Sequence, residues 1–252
     1  MSLGSGDLIL IDSRNRNSGS TNSLNINLNE PMTGTYELTT FSIVNNFYNV
    51  VNGENDKLYF THSVQGVKIV TLTSGNYTFS TIVTMLTTVM DSSMSGGITF
   101  AITYSATTGK LTFVISSGTF QFTFETNSSD TCRFLIGKNS VDDSLSASQI
   151  GDNPIDLILH KHICIKIAQD SSQSVTLANN VQASLIIPID STISFGSLLQ
   201  YNKNKNFNQY LSFGSTGSIS ILDIDFFSND GDSLSSNAAE WSMTLKQLFT
   251  NS

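Results

Sequence analysis

His160-Lys161-His162 sets two imidazoles two residues apart. On an extended chain that spacing puts both on one face of a strand, where a third ligand could complete a metal site. No such ligand is near in sequence, and His62, the remaining histidine, is far away. The pair therefore reads as a strand end. Asp223, Asp225, Asp230 and Asp232 form an acidic cluster that could hold calcium. The glycine at position six and glutamate at position twelve of a calcium-binding loop are missing. A hairpin turn at Asn229-Asp230-Gly231-Asp232 and the wet face of a strand at Asp223 and Asp225 account for them without an ion. Cys132 and Cys164 lack CxxC or Cys/His spacing and read as buried free thiols. His162 stands two residues before Cys164, but no third group is placed to orient a base, so this pair reads as packing. The chain has no GxSxG elbow and no phosphate loop. Neither a catalytic residue nor a cofactor is expected, and the chain reads as a non-enzyme.

Composition narrows the classes further. Of 252 residues, 39% are hydrophobic and only 13% charged, so Ser, Thr and Asn must carry solubility. A net charge of −8 argues against a groove that tracks phosphates, and nucleic acid is an unexpected partner. The opening residues Met1 to Gly6 carry no basic and apolar signal pattern, and no apolar run approaches membrane-spanning length. These features predict a protein made in a reducing compartment.

The elements that must position these residues are strands. From Ile98 to Phe124 apolar residues alternate in three runs, joined at Ala106-Thr107-Thr108-Gly109 and Ser116-Ser117-Gly118, which predicts an antiparallel meander at the centre of the protein. Leu58 and Phe60 are expected to pair with Val67, Ile69 and Leu72 across a turn at Val64-Gln65-Gly66. The step from even to odd apolar positions between Leu38 and Phe41 predicts a bulge. Phe79, Ile82, Val83, Leu86, Val89 and Met90 recur every three or four residues, so one amphipathic helix is predicted over 78–91. Later strands are marked by Ile163, Ile165 and Ile167, by Leu185, Ile187 and Ile189, by Leu211 and Phe213, by Ile219, Ile221, Ile224 and Phe226, and by Trp241, Met243 and Leu245, with Leu248-Phe249 closing the core. Many strands with long connections predict an all-β fold, a single jelly-roll β-sandwich. Residues 1–34 read as an extended arm and 35–252 as the roll, with an insertion expected within 138–208.

Ile11-Asp12-Ser13-Arg14-Asn15-Arg16-Asn17-Ser18, then the alternating Leu24-Asn25-Ile26-Asn27-Leu28 and the aromatic-rich Phe41 to Val50, resembles the N-terminal signature of virophage and polinton-like virus penton proteins. Gly75-Asn76-Tyr77-Thr78, Leu135-Ile136-Gly137 and the stretch from Asn229 to Trp241 add looser similarity. The resemblance implies a minor capsid protein of the single jelly-roll kind. It further implies five copies closing an icosahedral vertex in the virion, ringed by major capsid proteins with a double jelly roll. Asp12, Ser13, Arg14, Arg16 and Ser18 are then candidates for an assembly interface on the arm. Removal of residues 1–30 should on this view leave a folded roll. The competing class is a carbohydrate-binding or host-attachment jelly roll, with Tyr201, Phe207 or Trp241 in the binding loops, although alternation places Trp241 in the core.

Overall fold

A computed structural model describes residues 7–248 except 130, 159–160, 173–174, 178–179, 190–192, 205–207, 214–217, 229, 233 and 235–236. The chain divides into two units, Met1–Phe47 with His160–Ser252, and Tyr48–Leu159. The first opens with strands β1 (Leu8–Asp12), β2 (Ser18–Gly19), β3 (Ser23–Met32) and β4 (Gly34–Val44). The second holds β5 (Lys57–His62), β6 (Gly66–Thr71), helix α1 (Phe79–Ser92), β7 (Phe100–Ser105), β8 (Lys110–Ile115), β9 (Phe120–Phe122) and β10 (Ser148–Ile150). The first then resumes with β11 (His162–Ile167), β12 (Val175–Thr176), β13 (Gln182–Ala183), β14 (Leu185–Pro188), β15 (Leu198–Asn202), β16 (Tyr210–Phe213), β17 (Ile219–Phe227) and β18 (Trp241–Gln247).

Two antiparallel sheets build the first unit, in the orders β1-β18-β4-β15 and β14-β11-β17-β3-β2. β15 pairs with Thr40 to Val44 and β16 with Gly34 to Glu37, so together they occupy the edge of β4 that β18 leaves free. Counted as one strand they give eight roll strands, ordered 1-8-3-6 and 2-7-4-5. That is the jelly-roll connection, two nested Greek keys. Alternation dictates which side chains meet between the sheets: Ile11, Leu24, Ile26, Phe41, Ile43, Ile163, Ile165, Leu222, Ile224, Phe226, Trp241 and Met243 are all buried. Each such side chain contributes about 1.5–3 kcal/mol on leaving water. Phe41 stacks on Trp241 at 6.0 Å and Phe226 lies 5.1 Å from the same indole.

The predicted bulge is present. Thr244 opposes Thr40 while Leu245 opposes Leu38, which leaves Thr39 as the extra residue. Its Oγ donates to the Thr244 carbonyl at 2.8 Å, and the bulge lets Leu38 and Phe41 both face the core. The N-terminal segment is extended, as its alternation predicts, and it is built into both sheets. β1 pairs with β18 and β3 with β17. Deletion of residues 1–30 would remove one roll strand and most of a second, with buried Ile11, Leu24 and Ile26, so the expectation of an intact roll without them does not hold.

The second unit interrupts the roll between its third and fourth strands, earlier than the 138–208 segment where an insertion was expected. It contains the stretch from Ile98 to Phe124, which is not one meander. β7 and β8 pair as a hairpin and β10 joins β8, whereas β9 turns away to pair with β5. The two three-stranded sheets share a core in which Phe60, Phe100, Phe113, Phe120 and Phe122 meet edge to face at 5.0–6.4 Å. In the β5–β6 hairpin Leu58 opposes Val70 and Phe60 opposes Lys68. Val67 and Ile69 therefore point to the exposed side, opposite to their predicted role.

Helix α1 follows its predicted span closely and buries Ile82, Leu86 and Met90. Its threonine-rich sequence is a weak helix former, and two devices compensate. Thr78 and Thr81 form a reciprocal capping box at the N-terminus, and the Asp91 carboxylate accepts the Phe100 N–H at 2.6 Å, tying the last turn to β7.

Candidate assembly site

The five residues singled out by the sequence lie at and around a single 3-10 turn, Ser13–Asn15, that follows β1. Asp12 caps it. Its carboxylate accepts the Arg14 backbone N–H at 2.9 Å and the Arg14 guanidinium at 2.5–3.1 Å. The Arg14 hydrogen bond holds the Asp12 carboxyl below the ordinary carboxylate range. Arg14 remains 72% exposed at its side chain, so its outer N–H groups face solvent.

Ser13 is buried and works at the roll's closing strand. Its Oγ donates to the Glu240 carboxylate and accepts the Trp241 backbone N–H at 2.8 Å. Arg16 donates to both Glu240 oxygens at 2.9 Å and to the Ser13 carbonyl at 2.8 Å. The Ser13 hydroxyl first, and Arg16 next, pull the Glu240 carboxyl below its usual range. Trp241 Nε1 donates to the Thr21 carbonyl at 2.6 Å. The segment thus fastens the turn after β1 to the start of β18. Ser18 stands apart, its Oγ donating to the Asn25 side chain at 2.7 Å. Sequence reasoning missed Glu240, which precedes a strand with no local mark of its partner more than two hundred residues away.

The other chemistry-bearing residues do not converge. Among the described residues no group of three His, Cys, Asp or Glu side chains could hold a metal ion. His160 lies outside the described residues, as do Lys205, Phe207, Asn229 and Phe249. His62 is buried in the second unit beside the Ser117 carbonyl at 3.2 Å and accepts the Gln65 N–H at 3.1 Å. Asp223 accepts from the Asn25 and Gln169 side chains and Asp225 from Ser23 Oγ at 2.7 Å, a polar stripe across the outer face of the sheet. Cys132 and Cys164 are free and buried; burial raises both thiols, Cys164 to about 11. Tyr201 and Trp241, named for glycan binding, are core side chains with 1% and 2% exposure and cannot stack on a sugar. No helix among the described residues is long and apolar enough to cross a membrane.

No protein-family model matches the sequence, and no curated protein matches it. Among solved structures, the crystal structure of the mavirus penton protein superposes with a TM-score of 0.52 at 11% identity, over 95% of this chain and 96% of that one. The chain shares the fold of that penton protein. At this identity the likeness speaks for the architecture, and it extends over nearly the whole of both chains, so the inserted second unit falls within the matched length.

Proposed function

We propose that the chain is a penton protein, a structural capsid component that closes the fivefold vertices of an icosahedral virion as a homopentamer. The observation that carries this reading is the end-to-end likeness to the mavirus penton protein, since a roll alone serves many functions. The N-terminal motif supports it at residue level, because the one guanidinium of that motif with an exposed head, Arg14, is available to a neighbouring subunit or to a major capsid protein of the double jelly-roll kind. Arg16 and Ser13 serve the same surface indirectly by holding the turn against β18.

Light scattering of the purified protein tests the reading. A pentamer has five times the 27.3 kDa chain mass. Arg14→Ala should weaken the pentamer while the isolated subunit keeps its melting temperature. A stable trimer at high concentration would point instead to a spike or cement protein and end the vertex assignment.

A further inference from the structure

Open strand edges invite pairing with other chains, and proteins usually guard them with charges, proline, bulges or covering loops. Among the described residues β1 ends its sheet, and it has none of these guards within Leu8-Ile9-Leu10-Ile11. The direction of its free groups follows from the register. Gln247 N–H donates to the Asp7 carbonyl, so Asp7, Ile9 and Ile11 bond to β18, and the N–H and C=O of Leu8, Leu10 and Asp12 point to the open edge. The Leu8 and Leu10 side chains are 64% and 68% exposed on the outer face.

Beside this edge runs a groove of about 600 Å³, whose far wall is the Ile26–Glu30 part of β3. β2 pairs only with Leu24 and Asn25, so among the described residues this part of β3 has no outer neighbour either, but it runs into Pro31, which lacks an N–H. β1 is thus the unguarded wall. The ionisable groups lining the groove are both acidic, Asp12 and Glu30. Asp12 is taken by Arg14, whereas Glu30 is exposed and forms no ion pair among the described residues.

We propose that β1 is a strand acceptor: an extended segment of a different polypeptide adds to the sheet beyond β1, with apolar residues beside Leu8 and Leu10 and a lysine or arginine at Glu30. Five residues of β1 span about 17 Å, enough to pair a segment of five or six residues. A second copy of the chain is a poorer occupant. Pairing β1 with itself brings another Asp12 and another Arg14 already held by that carboxylate, and both copies carry −8. The proposal does not rest on the vertex reading, because a single subunit suffices to bind.

The test uses the full chain and a fluorescein-labelled acetyl-Lys-Val-Thr-Val-Thr-Val-amide peptide, read by polarisation. Saturable binding is expected, with loss when a central residue of the peptide is proline and weakening when its lysine is replaced by glutamate. Leu10→Pro removes an outward N–H without touching the β18 ladder, so it should weaken binding roughly tenfold or more at unchanged melting temperature. Glu30→Gln should abolish the preference for the lysine peptide. Hydrogen exchange on the unmutated chain gives an answer even if Leu10→Pro misfolds: peptide should slow the Leu8 and Leu10 amides and leave Ile9 and Ile11 unchanged. Absence of binding, binding insensitive to Leu10→Pro in a folded variant, or a chain dimer that this substitution dissolves would each overturn the proposal.

Discussion

Two of the residues that the sequence marks for assembly, Ser13 and Arg16, hold the turn after β1 to the start of β18. Ser13 satisfies two groups at once, the Glu240 carboxylate and the Trp241 N–H. Alanine at this position leaves a buried backbone donor without a partner, which costs about 1–3 kcal/mol. Ser13→Ala should therefore lower the urea midpoint at unchanged slope, and a midpoint equal to that of the parent protein would show that the hydroxyl is replaceable by water. Glu240 adds a pH dependence of fixed sign. Its folded carboxyl titrates below its unfolded value, so its contribution is complete above the unfolded pKa of about 4.3 and is lost as pH falls through the folded value. Asp12 acts in the same direction. Glu240→Gln should accordingly destabilise the protein at pH 7 and make little difference near pH 2, as measured by urea unfolding at both values. An equal difference at both would mean that packing, and not charge, is what the carboxylate supplies.

Elements were legible where one period ran without interruption. The alternation of β11 and β18 named the right residues for the core, and the three-and-four spacing of α1 found Ile82, Leu86 and Met90 although Phe79 is exposed. In β17 Ile224 and Phe226 are buried as expected, but a register shift between Ile219 and Ile221 leaves Ile221 exposed and buries Leu222. The change of phase between Leu38 and Phe41 located the bulge at Thr39. Pairing was less legible, because alternation says which face is apolar and not which strand lies beside it. For that reason β9 read as the third strand of a meander although it pairs with β5. The boundary of the insertion was hidden for the same reason: two cores of Ile, Leu and Phe have one sequence signature. The Ser13–Glu240–Arg16 cluster was half visible, its N-terminal half as a motif and its C-terminal half not at all. Gly137 is a case where a short match has a local physical cause. It adopts φ +71°, and a Cβ there would sit 2.2 Å from the Asn153 carbonyl oxygen. Both the left-handed backbone and the clash with main chain oppose any side chain. Gly137→Ala should cost about 2 kcal/mol or more, against about 1 kcal/mol for Thr78→Ala at the α1 cap. Thermal unfolding of the two variants checks the order, and a Gly137→Ala loss smaller than that of Thr78→Ala would refute it.

At the scale of the whole molecule, a domain has been placed inside a domain. The roll keeps its eight strands because the interruption falls in a connection, between β4 and β11, and not within a strand. Residues 48–159 carry their own core, in which Phe60, Phe100, Phe113, Phe120 and Phe122 pack with Ile82, Leu86 and Met90 of the helix. A segment of this size buries enough of its surface to fold without help. Residues 48–159 expressed alone should thus unfold in one cooperative thermal transition and retain slowly exchanging amides in β5, β7 and β8. The intact chain supplies the control. Gly137→Ala should lower the transition of the isolated segment and the transition of the same segment in the full-length protein by similar amounts, while the roll, reported by the near-ultraviolet signal of Trp241, melts where it did before. A Trp241 signal that follows the substitution degree for degree would mean that the two units unfold as one, and the description of the insertion as an independent unit would have to be given up.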